Sequence, residues 1–250
     1  MSGQHAVLIT GASARIGAAL ARGLAQAGWA VAIHYNRSKD SAAALTNAIN
    51  KDGGKAVIVH ANLNVAQERG DLIARASKAL GQPLTALINN ASTFSPDTID
   101  TLTDASFDHH INANLRAPLM LSQQFAAQIP DGIKGNIINM IDQRMLNPKP
   151  GFLSYAISKA GLHWATTTLA QALAPNIRVN AIAPGPTLQS QHQSEAQFNA
   201  EQSATLLGEG SSPQALLGAA LYLLSASAVT GQMITVDGGQ HLSWEAPNGR

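Results

Sequence analysis

The chain has 250 residues, 45% of them apolar, enough to bury a full core and within the range of one large α/β domain. Its formal charge of +1 comes from 16 basic and 15 acidic residues that are scattered rather than clustered, so there is no electrostatic footprint for nucleic acid or for an anionic membrane. It has no cysteine, which excludes a disulfide framework, a thiolate metal site and a thiol redox switch, and suits a reducing compartment.

The opening Met1-Ser2-Gly3-Gln4-His5 leads directly into an apolar strand, without the basic region, apolar stretch and small-residue cleavage site of a secretion signal. No apolar run reaches membrane-spanning length, and a cytoplasmic chain is expected. Short β-branched runs at 6–10, 30–35, 56–61, 86–89, 136–141, 177–182 and 233–236 read as strands. Between them, 11–28 reads as a loop and a first helix, and 39–52, 66–80, 103–129, 152–174 and 212–226 have helical period. The strands lack clean apolar/polar alternation, as expected where helices cover both faces. The expected fold is therefore α/β: one domain over 1–250, a doubly wound Rossmann fold with a seven-stranded, mainly parallel sheet and helices on both faces. Ligands of such sheets lie beyond the carboxyl ends of the strands, so Gly11, Asn90, Asp142 and Pro184 should converge on one cleft. The polar stretch 187–212 is long for a plain connection and reads either as a solvated surface loop or as a substrate loop.

Thr10-Gly11-Ala12-Ser13-Ala14-Arg15-Ile16-Gly17 follows a strand and opens a helix, the context in which a glycine pattern signals dinucleotide binding. Gly11 permits the tight turn, Gly17 permits close packing of helix on strand, and the helix N-terminus offers N–H groups to a pyrophosphate. Arg15 in this loop can pair with that pyrophosphate or reach a planar ligand. After the second strand the chain reads His34-Tyr35-Asn36-Arg37-Ser38-Lys39, with no acidic residue before Asp40. NAD enzymes place a carboxylate here for the ribose, whereas Arg37 and Ser38 suit a 2′-phosphate, so the cofactor read from this stretch is NADP(H). The bland reading of the same residues is an exposed basic turn.

Tyr155 and Lys159 are spaced i and i+4 on a helix and share one face. At about 4 Å and an effective dielectric near 20, an ammonium is worth roughly 4 kcal/mol, or about three pKa units, enough to bring a phenol from about 10 toward neutrality. Tyr155 is thereby a candidate general acid. Asp142 works the other way if ionised, because a neighbouring carboxylate disfavours phenolate, and it can also relay or donate a proton itself. Phe94 is one of only five phenylalanines and sits in a polar Ser-Thr-Phe-Ser-Pro loop, which suggests stacking on a flat ligand. The eight histidines show no metal spacing, so no metal is expected, and the adjacent His109 and His110 read as surface residues.

These motifs, from Thr10-Gly11 to Asp237-Gly238-Gly239, resemble the short-chain dehydrogenase/reductase family along nearly the whole chain. That family usually carries a serine where this chain has Asp142, and a glycine where it has Arg15. Asp142, Arg15, the segment His34 to Ser38 and Asn89-Asn90-Ala91-Ser92-Thr93-Phe94 together resemble the pteridine reductases and the bacterial dihydromonapterin reductases.

The resemblance implies further roles. Asn114 would hold a water beside Lys159, with Asn112 as the competing assignment. Asn90 and Ala91 would lie near the adenosine half of the cofactor, although a part in stabilising the sheet is equally compatible. Asn62 and Leu63 would lie at the adenine, and Pro184-Gly185-Pro186-Thr187 would face the nicotinamide. Tyr35, Asn36, Ile16, Tyr155 and Lys159 would complete the cofactor contacts. Arg15, Ser92, Phe94, Asp142 and Tyr155 would form a pterin site, with Phe94 as one wall and nicotinamide as the other. The resemblance favours a substrate lid at 187–212 and a homotetramer contacting through 103–129, 152–174 and the last strand. The tail His241-Leu242-Ser243-Trp244 either packs on a neighbour or frays. The activity implied is NADPH-dependent reduction of a dihydropterin to its tetrahydro form, with Tyr155 and Asp142 supplying protons. The alternatives are a carbonyl or 3-oxoacyl reductase of the same family, which accounts for Tyr155 and Lys159 but not for Asp142, Arg15 and Phe94, and a non-catalytic NADP-sensing regulator, which has no need of a proton relay.

Overall fold

Ala6–Ile9, Ala30–Tyr35, Ala86–Asn89 and Gly135–Met140 are buried at every residue, which a strand achieves only when both its faces are covered. In the computed structural model, which describes residues 5–190 and 192–243, these runs are β1, β2, β4 and β5. With Lys55–His60 (β3), Ile177–Pro184 (β6) and Met233–Val236 (β7) they form one sheet in the order β3-β2-β1-β4-β5-β6-β7. All pairings are parallel. The order reverses between β1 and β4, so the loops that follow those two strands diverge and open a crevice at their carboxyl ends.

The connections are Arg15–Gln26 (α1), Lys39–Lys51 (α2), Ala66–Arg69 (α3), Leu72–Leu80 (α4), Asp104–Ile111 (α5), Ala117–Gln128 (α6), Leu153–Leu173 (α7), Glu195–Ser203 (α8) and Pro213–Ser225 (α9). The two-residue period of the strands divides their side chains between two cores. Val7, Ile9, Val31 and Ile33 pack with Leu20 and Leu24 of α1, Leu45 of α2 and Leu216 of α9. The intervening Ala6, Leu8, Ala30 and Ala32 pack on the other face with Leu72 of α4 and with Leu121 and Phe125 of α6. Each strand lies within two residues of its expected bounds.

Two expected helices are divided. The 66–80 segment breaks at Gly70 and Asp71, where Asp71 leaves the helical region (φ −123°) and accepts from Arg75 Nε at 2.8 Å. The 103–129 segment is interrupted by a π turn at Asn112–Arg116. In an α-helical register Asn114 would receive the N–H of residue 118, and that residue is Pro118, which has none; the chain widens instead. Within 187–212, expected as a loop, the chain forms α8, opened by a capping box in which Gln197 N donates to Ser194 Oγ at 3.2 Å and Ser194 N donates to Gln197 Oε1 at 2.8 Å.

A buried polar chain fixes α7 to the sheet beneath the crevice: Asn89 donates to Asn139 Oδ1 at 2.9 Å, and Asn139 donates to Thr166 Oγ1 at 2.9 Å. None of the three is more than 2% exposed. Among the described residues no helix is long and apolar enough to cross a membrane. Trp244 of the tail, and the first four residues of the opening, lie outside the described residues.

Candidate active site

The loop after β1 turns at Gly11 (φ +62°), where a Cβ would come within 2.9 Å of Ala91 Cα. At Gly17 a Cβ would stand 2.4 Å from Gly11 O and 2.6 Å from Asn90 Nδ2, so both motif glycines are required by contact, and Gly11 by conformation as well. Asn90 and Ala91, after β4, knit the loop in place: Thr10 Oγ1 accepts from both of their N–H groups at 2.9 Å, and Asn90 Nδ2 donates to Thr10 O at 2.8 Å. Arg15, at the family's glycine position, adopts a left-handed conformation (φ +54°). The first turn of α1 has neither a side-chain cap nor an acidic residue, which suits its N–H groups to a phosphate.

His34 fastens the same loop from β2. Its Nδ1 accepts from Gly11 N at 2.9 Å, and Nε2 lies 3.0 Å from Ala61 O. A backbone N–H can only donate, so Nδ1 is bare, Nε2 carries the hydrogen and the ring is neutral. Burial holds the His34 pKa down at about 4, in keeping with that assignment. Beyond it Asn36, Arg37 and Ser38 line the cleft, and Arg37 and Ser38 are exposed there.

At the other end of the cleft, whose volume is about 1010 Å³, Tyr155 Oη donates to Asp142 Oδ2 at 2.7 Å. Asp142 Oδ1 accepts from Arg144 N at 2.8 Å, and Lys159 Nζ donates to Met140 O at 2.9 Å. Burial raises the Asp142 pKa, and it lowers that of Lys159 to about 8. Burial, reinforced by Asp142, pushes the Tyr155 phenol well above its usual value. The expectation that Lys159 brings Tyr155 toward neutrality is thus reversed: the ammonium lies 5.8 Å from the phenol ring and is spent on a carbonyl, while the carboxyl touches the hydroxyl. The protonated tyrosine expected from Asp142 is what this geometry favours.

Phe94 lies face to face with Phe152 at 4.2 Å (3° between planes) and edge-on to Tyr155 at 4.8 Å (79°). The Arg144 guanidinium lies 5.2 Å and 5.0 Å from the two phenylalanine centroids. Arg15 crosses the cleft to donate to Gln189 O at 2.9 Å and Leu188 O at 3.1 Å, so it ties the glycine loop to the 187–212 segment.

The cleft gathers most of the residues singled out in the sequence, including Gly11, Arg15, Arg37, Asn62, Phe94 and Asp142 together with Tyr155 and Lys159. Ile16, Gly17, Asn36, Ser38, Leu63, Asn90, Ala91, Ser92, Pro184 and Gly185 also line it. Two do not. Tyr35, expected at the cofactor, shares the side of β2 that carries Val31 and Ile33 and lies in the core. Asn114 is fully buried beside the cleft, and both its amide hydrogens are used, on Thr93 O at 3.0 Å and Ser158 Oγ at 3.1 Å. Asn112, its competitor, pairs instead with exposed Arg116. His109 is exposed as expected, but His110, one helical step away, is 1% exposed and bonded within the protein, which corrects the surface reading. Sequence reasoning also passes over Phe152 and Arg144; a second phenylalanine close before Tyr155 is the available signal.

The short chain dehydrogenase family model matches residues 5–200. An uncharacterized oxidoreductase of Methylorubrum extorquens is 32% identical over 247 residues, covering 96% of this chain and 98% of the relative. Among solved structures, FolM alternative dihydrofolate reductase 1 from Brucella canis, complexed with NADP, is 42% identical with a TM-score of 0.95, covering 99% of this chain and 98% of that one. The angucycline C-6 ketoreductase LanV with bound NADP is 31% identical with a TM-score of 0.88, covering 96% of each chain.

Neutral His34 has a consequence for acid stability. With its pKa at about 4 in the fold against 6.5 for a free ring, the unfolded chain binds the extra proton between those values, so the contribution is whole above pH 6.5 and lost as pH falls to about 4. At 1.36 kcal/mol per pKa unit this amounts to about 3 kcal/mol. Urea denaturation at pH 7 and pH 4 should show that difference between wild type and His34→Asn; parallel losses in the two proteins would show that His34 is not the group responsible.

Proposed function

The chain belongs to the short-chain dehydrogenase/reductase family, and from that premise we propose that it is an NADPH-dependent pteridine reductase that converts a dihydropterin to its tetrahydro form. It is an oxidoreductase of that family, and its cofactor is NADP(H), as in the FolM and LanV structures. The observation that carries the pterin reading is the Asp142–Tyr155 hydrogen bond in a cleft walled by Phe94. The 42% identity to FolM, a structure described as an alternative dihydrofolate reductase, supports it.

In this reading the glycine loop and the N-terminus of α1 hold the pyrophosphate, Arg37 and Ser38 hold the 2′-phosphate, and Asn62 and Leu63 lie toward the adenine. When bound, NADPH supplies the hydride. The chain supplies the balancing proton: Tyr155 is held protonated by burial and by Asp142, so it can donate to the ring nitrogen next to the carbon being reduced. Asp142, whose own pKa is raised, can carry a proton to refill the phenol or give it directly. A serine at 142 could only hydrogen-bond. Phe94 and Phe152 present aromatic surface for a planar ring, and Arg15 places a cation at the edge of the slot. Lys159 holds the end of β5 through Met140 O, and Asn114 anchors the Ser92 and Thr93 segment that leads to Phe94.

We read the chain as one domain over 1–250, with 187–212 as its substrate segment. A cytoplasmic setting suits a chain with no cysteine. The likeness to LanV favours a second reading, reduction of a ketone, which does not account for Asp142, Arg15 and Phe94 as a set.

Three measurements test the proposal. Asp142→Ser should cut NADPH oxidation with 7,8-dihydropterins by about two to four orders of magnitude while leaving the fold intact. Wild-type turnover in that variant, or a native enzyme that reduces simple ketones and ignores every dihydropterin, would transfer the assignment to the carbonyl reductases. Catalytic efficiency should favour NADPH over NADH by about tenfold or more, and Arg37→Ala should weaken NADPH alone; an equal loss with both cofactors would free Arg37 of the phosphate. A homotetramer is part of the same reading, because α7 leaves Trp164 75% and Ile157 43% exposed and α6 leaves Met120 37% exposed. Light scattering should give about four times the 26.0 kDa chain mass, and a single monomeric species would rule the tetramer out.

A further inference from the structure

Asp97, His110 and Ser154 lie behind the substrate slot, 4%, 1% and 0% exposed, and the chemistry proposed above uses none of them. They are bonded to one another. Ser154 Oγ donates to Asp97 Oδ2, and His110 Nδ1 lies 2.6 Å from Ser154 Oγ and 3.2 Å from Ser106 O. His110 Nε2 accepts from the backbone N–H of Ser95 at 3.1 Å. That contact fixes the tautomer, because Ser95 N can only donate: Nε2 is bare and Nδ1 carries the hydrogen toward Ser154 and Ser106. The three residue types are those of a nucleophilic triad, but the serine proton points to the carboxylate and the hydroxyl is sealed from solvent, so no substrate can reach it.

What the cluster joins is more informative. Ser95 follows Phe94, and Ser154 precedes Tyr155. The helix that carries Tyr155 begins without a side-chain cap of its own; Phe152 is its left-handed N-cap (φ 60°). Its first N–H groups are satisfied from the Phe94 loop instead, Leu153 N by Asp97 O at 3.2 Å and Ser154 N by Asp97 Oδ1 at 3.1 Å. One end of the cluster therefore caps the helix of Tyr155, and the other holds the backbone next to Phe94. The two rings so placed meet edge-on at 4.8 Å in the cleft, while none of the three cluster residues lines it.

We propose that Asp97, Ser154 and His110 form a positioning device that locks the Phe94 loop to the Tyr155 helix and so sets the width of the substrate slot. It touches neither substrate nor cofactor. This rests on the reading that Phe94 and Tyr155 face the substrate. Loosening the cluster moves one wall of the slot relative to the proton donor, whereas the phosphate cradle of α1 and the Arg37 turn are built from other elements and stay in place. The effect belongs in substrate KM and kcat and not in cofactor affinity.

The test compares His110→Phe, which keeps an aromatic ring but removes the acceptor for Ser95 N and the donor toward Ser154, with His110→Gln, whose side-chain oxygen can restore that acceptor. With a 7,8-dihydropterin as substrate, His110→Phe should raise KM by about tenfold or more. The NADPH dissociation constant, read by fluorescence titration, should stay within about twofold, and His110→Gln should recover most of the loss. In a Phe94→Ala background His110→Phe should add little, because both changes act on the same wall. Ser154→Ala, which deletes only the bridging hydroxyl, gives the same readout should His110→Phe fail to fold. An unchanged KM, an equal weakening of NADPH, or fully additive effects with Phe94→Ala would overturn the proposal. The pterin reading fails separately: if the wild-type enzyme ignores dihydropterins, the same ratios are read with the ketone it does reduce.

Discussion

The hydrogen bond between Tyr155 and Asp142 joins the first turn of α7 to the end of β5, and both partners are ionisable groups that burial discourages from charging. In water a phenol and a carboxyl would stand many pKa units apart, with the carboxylate ionised. Here burial raises both, Asp142 pushes the phenol further up, and the one hydrogen bond aims the phenol proton at the carboxyl group. Lys159, which could have opposed this, is held on Met140 O and has its own pKa depressed. The geometry of the cleft follows from keeping these partners in place.

That placement is achieved by tying loops to one another across the strand ends. The glycine turn after β1 is pressed against Ala91 and held by Asn90 after β4 and by His34 at the end of β2. The loop after β4 is held in turn by Asn114 from the π turn, through Thr93, and by its own Asp97, which accepts from Ser154 N at the start of α7. Each tie uses a buried polar group whose partner is far away in sequence. Removing one partner strands the other without water, and this makes such networks rigid. Arg15 extends the pattern to the 187–212 segment, through two carbonyls rather than a buried pair, so that tie is the most open to solvent.

The departures from simple helices serve the same end. The π turn at Asn112–Arg116 ends just before Pro118, which has no N–H to give an α-helical bond, and within it Asn114 is fully buried with its side chain directed into the Thr93 loop. The left-handed Phe152 removes an ordinary cap from α7 and leaves that task to Asp97. In both places a local cost in regular structure is offset by a contact that fixes the site.

The sequence by itself determined the sheet, its doubly wound form and where the candidate site should lie, because these follow from near-neighbour patterns: β-branched runs, a glycine turn between strand and helix, and the i, i+4 spacing of Tyr155 and Lys159. The missing acidic residue after β2 is likewise a local signal, and the stretch from His34 to Lys39 points to NADP(H) on its own. Tyr35 is not placed correctly by pattern alone because a strand end offers both faces, and only the packing of Ile33 and Val31 says which one is the core. Helix α8 escapes the periodicity because it buries no apolar stripe, although its Ser194-Glu195-Ala196-Gln197 box is readable. The direction of the Tyr155 pKa and the burial of His110 have no local signature. Both depend on how far each group is removed from water and on which partner reaches it first, and those are set by contacts as remote as the 44 residues between His110 and Ser154, which only the tertiary structure brings together.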